Sequence, residues 1–508
     1  MKIDTVCILG GGTSGFMTSS MLAKYREESG LDFDIKLVHS ETIGSIGVGE
    51  STLFNINYLF RYLELKDKDW MKPCNATYKT SVRFEDFYKH GTYFHYPFGS
   101  TREDADIQLW FTLKEVYPET FTPEKAALYF NPNSIFCEKN KLSDNVVSDG
   151  SGYHFDSYLL GEYLRKYSEK RGVEIVNDTF KSATLREDGY IKSLICENGT
   201  YEADLFIDCS GFRSLLLDGV MGEEYISFGD TLINNKALVT KVPYTDKEKQ
   251  LKNYTNSVAL KNGWCWETPL WDSLAYGYVH TNKFATEEEI EQEFFEHVGE
   301  VEYRTLHFKT GRYKRGWVKN VAAVGLSYGF LEPLEATGIA TTLENIFRLL
   351  ECISKRDMFY TQVDRDAFNH HIASETDGFR GFVESHYYLS SREDTEYWRH
   401  LTEDVDYGYD TMGFGYQEFL NRIIVRRDLT FNGSYPITGL LFVIAGMNYS
   451  CFSKAFTLSD CNPDDYFANA VIFNDHIKEL EVSTEDHLSS YQYLKKKIYS
   501  RSILGVTI

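Results

Sequence analysis

The stretch DTVCILGGGTSGFMTSSMLAKY, residues 4 to 25, commits the start of this chain to one local architecture. A short apolar strand pattern runs into Gly10-Gly11-Gly12-Thr13-Ser14-Gly15, and a helical pattern follows with Met17, Met21 and Leu22 on one face. Strand, GxGxxG turn and helix are the opening of a dinucleotide-binding unit. The glycines serve the tight turn, the close approach of a pyrophosphate and the packing of helix on strand. FDIKLVHSE, residues 33 to 41, supplies the next strand at the right distance. An acid usually ends that strand and holds the ribose. Here His39 takes the place, with Glu41 two residues later.

Further segments extend the unit. GYHFDSYLLGEYLRKYSEKRGVEIV (152 to 176) reads as a helix feeding a strand, and YEADLFIDCSGFRSLL (201 to 216) as a buried strand ending at Ser210-Gly211. NVAAVGLS (320 to 327), with Gly325, brings the chain back once more. Three separated pieces around one glycine-rich turn fit a single FAD site. No second GxGxxG follows, so a nicotinamide domain is not expected and electrons come from another protein. The expected fold class is α/β, an FAD-binding Rossmann-like flavin monooxygenase fold with an interleaved substrate-side region and a largely helical C-terminal part. The expected division is an FAD-binding module over 1–350, with substrate-side insertions at about 59–150 and 232–305, and a helical region over 351–508 that covers the substrate site.

YGFLEPLEATGIATTLENIF (328 to 347) places Glu332 and Glu335 around Pro333 among small and apolar residues. The strand-like run 321 to 329 must end before Pro333. Ile339, Leu343, Ile346 and Leu350 then recur at helical spacing, with Thr337 in a capping position and a helix expected from near Gly338. The first turn of such a helix is an anion site. The glutamates either point to solvent from an ordinary turn or stand beside a bound anion.

The 53 basic against 75 acidic residues, a net charge of −22, exclude long-range attraction to nucleic acid or an anionic membrane surface. Nine scattered cysteines without a CxxC pair fit a reduced, cytoplasmic chain. No targeting segment is seen, and the longest apolar stretch, GLLFVIAGM at 439 to 447, is too short to span a bilayer. His371 and Glu375 could share a helical face, but two ligands without a third do not make a metal site, and no metal is expected. ATEEEIEQEFFEHV (285 to 298) reads as a solvated amphipathic helix. Oligomeric state is left open.

Six segments in order, GGGTSG (10 to 15), IGVGEST (46 to 52), CNATYKTSVRF (74 to 84), ADLFIDCSGFRSLL (203 to 216), GWCWETP (263 to 269) and FLEPLEATGI (330 to 339), carry a resemblance to the flavin-dependent tryptophan halogenases. The resemblance implies that FADH2, supplied by a separate flavin reductase, reacts with oxygen and halide. The resulting hypohalous acid then travels down a tunnel to a lysine beside a small aromatic substrate. Carried over residue by residue, the catalytic pair is Lys79 and Glu335, and the halide is held near Thr337 and Gly338. The cofactor contacts fall on Gly10, Gly12, Thr13, Ser14, Gly15, His39, Gly49, Glu50, Ser51 and Gly325, and the substrate contacts on Tyr96 and Phe98. Trp264 and Trp266 are diagnostic of the family rather than catalytic.

The chain departs from the tryptophan-specific pattern at several points. Tyr96 stands where a histidine is common, Thr268 replaces an isoleucine, and Ala336 replaces a serine beside the anion site. The C-terminal aromatic segment that grips the amino acid has no counterpart in 407 to 429, which contains no tryptophan. The expected activity is therefore halogenation of another electron-rich aromatic, with bromide or iodide at least as good as chloride. A flavin-dependent aromatic hydroxylase and a non-catalytic flavin-binding protein are the alternatives.

Overall fold

The near-continuous apolar runs around the glycine turn pair as a parallel sheet, buried on both faces. The computed structural model describes residues 1–42, 47–102, 106–407, 437–450 and 463–500, together with the short strands Ser502–Ile503 and Val506–Thr507. The chain forms two compact units, each assembled from three segments. The first comprises 1–76, 155–232 and 308–377, and the second 77–154, 233–307 and 378–508.

The first unit is built on a six-stranded sheet in the order Trp317–Val318, Val321–Ala323, Leu205–Asp208, Thr5–Leu9, Asp34–His39, Glu174–Asn177. The first two strands form an antiparallel hairpin, and every other pairing is parallel. Cys7, Leu9, Val38, Phe206 and Val321 pack together on one side with Leu194 and Leu216. Helix Thr13–Ser29 crosses from the first strand and ends at Gly30, whose φ of 66° is the left-handed stop that glycine makes cheaply. Helix Ser157–Glu169 starts where the Asp156 carboxylate accepts from the Tyr158 and Leu159 N–H groups. Ser168 meets Ser19 and Ser20 at 2.8 and 3.0 Å, small hydroxyls that join the two helices closely.

The second unit carries a seven-stranded sheet, Arg304–His307, Lys236–Pro243, Ser273–His280, Gly263–Pro269, Tyr254–Ala259, Ser81–Glu85, Tyr93–Pro97. It is antiparallel except where Tyr254–Ala259 pairs with Ser81–Glu85. The acidic stretch expected as an amphipathic helix is Glu287–Val298, opened by a capping box between Thr286 and Glu289. Its Ile290 and Phe294 pack on Leu238, Cys265 and Tyr278. The apolar run near 440 is helix Ile437–Gly446. It seats on Phe94, whose ring a Cβ at Gly446 would meet at 2.1 Å. Trp271 stacks on Tyr499 at 3.7 Å, with the Lys247 ammonium 3.5 Å above the indole, and this pins the end of the chain to the second unit.

Three buried histidines of this unit are held neutral. Burial, with Arg83 adding to it, lowers His95 to about 3. Burial and then Lys236 lower His280 to about 4. His154 is lowered well below its ordinary value by burial and then by Lys79. A histidine whose folded pKa is depressed takes up its proton on unfolding, so its contribution is complete above pH ~6.5 and is lost as pH falls towards the folded value. The expected result is a fall in unfolding free energy between pH ~6.5 and ~4.5 of up to about 1.4 kcal/mol per pH unit for each histidine. Urea titrations across that window measure it. His280→Asn should flatten the slope, and an unchanged slope would show that His280 does not contribute.

Candidate functional site

The cofactor side is built in the first unit. Gly10 has φ 120°, and a Cβ there would lie 2.2 Å from the Cys209 carbonyl oxygen. At Gly15 a Cβ would lie 2.0 Å from the Gly10 oxygen. These two glycines are required by the turn itself. Gly12 differs: nothing among the described residues lies within 4 Å of its Cβ position, and its φ of −80° and ψ of −175° suit any residue. The fold therefore leaves space over the N-terminus of helix Thr13–Ser29, where backbone N–H groups and the helix dipole favour an anion. Thr13 is held by its hydroxyl, which donates to the Ser157 carbonyl at 3.0 Å.

His39 ends its strand as expected. Its ring lies against Gly11, where a Cβ would meet it at 2.6 Å, and stands edge-on to Phe16 at 5.9 Å. Burial, then Arg165, lower its pKa and keep the imidazole neutral. Nε2 is buried and has no hydrogen-bond partner among the described residues. An orphaned ring nitrogen at the ribose end and an open cradle over Gly12 fit the adenosine and pyrophosphate of FAD. Gly49, Glu50 and Ser51 form a short strand. Glu50 retains some surface exposure, yet its carboxyl sits among burying neighbours that, with Asp156 adding to them, raise it to about 7.

The third predicted piece docks on the first. Gly325, φ 70°, has Ser14 Cβ 3.2 Å and Thr342 Oγ1 2.9 Å from its own Cβ position, and its N–H donates to Asn345 Oδ1 at 3.2 Å. Asp208, which the sequence reading passed over, ties the pieces together. Its carboxylate accepts from the N–H groups of Ser210, Leu216 and Leu217 at 3.0, 2.7 and 2.9 Å and from Ser210 Oγ at 2.6 Å, while its backbone carbonyl accepts from the Val324 N–H and Ser327 Oγ. The signal was present, an acid closing an apolar strand just before Cys-Ser-Gly.

Around Glu335 the structure corrects two local expectations. The run 321 to 329 is not one strand: Val321–Ala323 gives way to a 3₁₀ turn, Gly325–Ser327, because Gly325 takes a left-handed conformation. Thr337 is not the cap but the first residue of helix Thr337–Ser354. The cap position is Ala336, at φ 53° and ψ 34°, and it makes no side-chain capping bond. A left-handed residue cannot offer the extended geometry from which a cap hydroxyl reaches back. The first-turn N–H groups therefore face a small concavity lined by Tyr328, Phe330, Leu331, Thr337, Gly338 and Thr376. A Cβ at Gly338 would meet nothing among the described residues within 4 Å. Glu332 and Glu335 are fully buried, which removes the solvent-facing reading.

Lys79, Tyr96 and Phe98 belong to the second unit. Lys79 closes strand Thr77–Lys79, is fully buried, and its Nζ stands 4.9 Å from the centre of the Phe98 ring. Phe98 is fixed at both backbone groups: its N–H donates to the Thr80 carbonyl at 2.8 Å, and its carbonyl accepts from Asn131 Nδ2 at 3.0 Å. Tyr96 meets Phe98 edge-on at 5.7 Å, stacks near Phe442 at 5.9 Å and meets Phe382 at 6.2 Å. Phe382 and Phe442 were not legible as site residues, since both sit in ordinary helical apolar patterns. His154 was also missed. The Thr77 hydroxyl donates to the Pro269 carbonyl at 2.6 Å, so it accepts from His154 Nδ1–H at 2.9 Å, leaving Nε2 to accept from Thr255 Oγ1 at 2.9 Å. This network assigns the neutral tautomer beside the lysine.

Trp264 is buried and Trp266 lies flat on Gly277, whose Cβ position is 1.9 Å from the indole. The segment 407 to 429 lies outside the described residues beyond Tyr407. His371 and Glu375 acquire a third potential ligand, Glu344, with ligand atoms within 4.8 Å of one another. Arg348 donates to His371 Nδ1 at 2.8 Å and places a guanidinium in the same cluster.

The tryptophan halogenase family profile matches residues 5–411. The chain is 35% identical to tryptophan 6-halogenase SttH of Streptomyces toxytricini, over 78% of this chain and 80% of that protein. It is 33% identical to tryptophan 7-halogenase RebH of Lentzea aerocolonigenes, over 78% of each chain. Among solved structures, that of VirX1 without ligand superposes with a TM-score of 0.90 at 34% identity, covering 98% of this chain and all of the other. The SttH crystal structure gives 0.83 at 30% identity, covering 97% of this chain and 99% of the other. With its glycine cradle, its uncapped helix start and this extent of agreement, the chain belongs to the tryptophan halogenase family of flavin-dependent halogenases.

Proposed function

We propose that this flavin-dependent halogenase acts, with a separate flavin reductase, on an electron-rich aromatic other than free tryptophan, and that it uses bromide and iodide at least as well as chloride. The observation that carries the reading is the buried Lys79 ammonium over Phe98, beside the aromatic contacts of Tyr96 with Phe382 and Phe442. Those rings suit a flat, apolar substrate, and Phe382 and Phe442 support reading the C-terminal region as its cover. The sequence departures at Tyr96 and in 407 to 429 argue against a grip on the amino-acid part of tryptophan.

Reduced FAD, when bound, supplies the oxygen chemistry that turns halide into an electrophile. Gly10, Gly12, Thr13, Ser14, Gly15, His39, Gly49, Glu50, Ser51 and Gly325 are the residues we assign to holding it. The uncapped first turn at Thr337 and Gly338 attracts the halide through backbone N–H groups and the helix dipole. Ala336 offers no hydroxyl there, which favours a larger, less strongly hydrated anion. Lys79 holds the electrophilic halogen for the arene, either by hydrogen bonding or as a haloamine. The Glu335 carboxylate orients that electrophile or accepts the proton lost from the halogenated carbon. His154, kept neutral, adds no competing charge beside the ammonium. We place the protein in the cytoplasm; among the described residues no helix is long and apolar enough to cross a membrane.

The test is one assay: reductase-supplied FADH2, a panel of indoles, phenols and L-tryptophan, and the three halides singly and mixed, with products read by mass spectrometry. Brominated or iodinated arenes are expected to dominate in mixed halide, with L-tryptophan a poor substrate. Mainly chlorinated product would overturn the halide assignment. Efficient single-site halogenation of L-tryptophan would overturn the substrate class, and oxygenated product without halide would make the protein a hydroxylase.

A further inference from the structure

The first unit has a second concavity, of about 410 Å³, lined by none of the residues assigned above. The hairpin Trp317–Val318 to Val321–Ala323, the first turns of helix Gln362–Tyr388 and the turn at Gly189 enclose it. Its lining is in part apolar, from Leu185, Val220 and Met221, and in part cationic, from Arg315, Lys319 and Arg365.

The charges do not cancel. Arg315 is neutralised by a two-point pair with Glu223, at 2.9 and 2.6 Å. Arg365 donates only to neutral oxygens, the Tyr190 hydroxyl and the Lys319 carbonyl at 2.8 Å each and Gln362 Oε1 at 2.5 Å. The Lys319 ammonium makes no hydrogen bond or ion pair among the described residues, and its Nζ lies over Gly189, 2.0 Å from where a Cβ would be. Asp366 in the lining accepts from Gln362 at 2.7 Å and faces Arg315 rather than Lys319 in its electrostatic effect. The lining with Glu223 thus keeps one net positive charge, in a protein whose formal charge is −22. Lys319 is moreover held at φ 53°, a conformation that a lysine adopts only at a cost.

We propose that this concavity binds a small amphipathic monoanion, an aryl or branched-alkyl carboxylate or sulfonate. Lys319 and Arg365 hold the anionic head, and Leu185, Val220 and Met221 cover the hydrocarbon. The volume is that of an ordinary small-molecule site, and a single uncompensated charge selects a monoanion over a phosphate dianion. The proposal is independent of the halogenation chemistry.

Calorimetry on the full chain with naphthalene-2-sulfonate tests it, with the neutral naphthalene-2-sulfonamide as the second arm. One saturable, salt-sensitive site is expected for the sulfonate, with the sulfonamide at least about tenfold weaker. Lys319→Gly relieves the left-handed backbone, so it should fold at least as stably, yet lose affinity by about tenfold or more. Leu185→Asp, a change at a half-exposed position, should do the same by repulsion. Both variants should bind FAD as the parent does. Absence of saturable binding in the millimolar range, equal affinity for sulfonamide, or undiminished sulfonate binding in Lys319→Gly and Leu185→Asp would each overturn the assignment.

Discussion

Lys79→Ala is expected to oxidise reduced FAD at the parental rate and to yield almost no halogenated arene once leaked hypohalite is scavenged. The two half-reactions should separate because the residues we assign to cofactor and halide stand on one set of segments, Gly10 to Gly15, Gly325 and Thr337 to Gly338, and the lysine on another. The proposed role of Lys79 is on the electrophile and not on oxygen. Because Lys79 is fully buried, thermal denaturation of the variant is read beside the assay to show that it is folded. Lys79→Met, which keeps the length of the side chain, guards against a packing artefact and should behave alike. Glu335→Gln should retain more activity, losing at most about 10² to 10⁴ in rate, the range of a general base. Flavin absorbance in stopped flow and product yield are read on the same samples. Halogenation by Lys79→Ala at the parental rate, with scavenger present, would mean that free hypohalite does the chemistry.

The second large effect is at the glycine turn. Gly12→Val should leave the melting temperature of the apoprotein unchanged and weaken FAD binding by two orders of magnitude or more, to about the level of a lost phosphate cradle. The valine meets no described protein atom within 4 Å at its Cβ position, so what it collides with is the ligand. Gly15→Val is the contrasting case. Its Cβ would lie 2.0 Å from the Gly10 carbonyl oxygen, and the apoprotein itself should lose several kcal/mol. Flavin fluorescence titration and thermal denaturation distinguish the two. A Gly12→Val protein with parental FAD affinity would remove the pyrophosphate from this turn.

Much of this was legible because local physics and chemistry coincide in the same residues. GxGxxG after a strand dictates both a backbone path and an anion site, and the strands Thr5–Leu9 and Asp34–His39 appear where the apolar pattern put them. The two carboxylates around Pro333 were legible as an anomaly, and their full burial is what made them one. What escaped had a different character. Thr337 looked like a cap because capping statistics assume an extended residue before the helix, whereas Ala336 is left-handed, a choice set by the turn through Pro333–Glu335. Phe382 and Phe442 carry no local mark, since a ring on a helix's apolar face reads the same whether it meets core or substrate. Asp208 and His154 matter through partners distant in sequence, Val324 and Thr255 among them, and such pairings have no periodicity to reveal them.

The braided order of segments bears on how the chain is made. Neither unit is contiguous: strand Thr5–Leu9 pairs with Leu205–Asp208, and that in turn with Val321–Ala323. On the ribosome, at about 5 to 20 residues per second, the first strand waits on the order of fifteen to sixty seconds for the third. Meanwhile the apolar strands of a seven-stranded sheet that also lacks its closing segments emerge between them. Such a nascent chain exposes unpaired edges until these later strands emerge, so its yield in a cell is expected to depend on chaperone capture and on temperature during translation as well as on the stability of the finished enzyme.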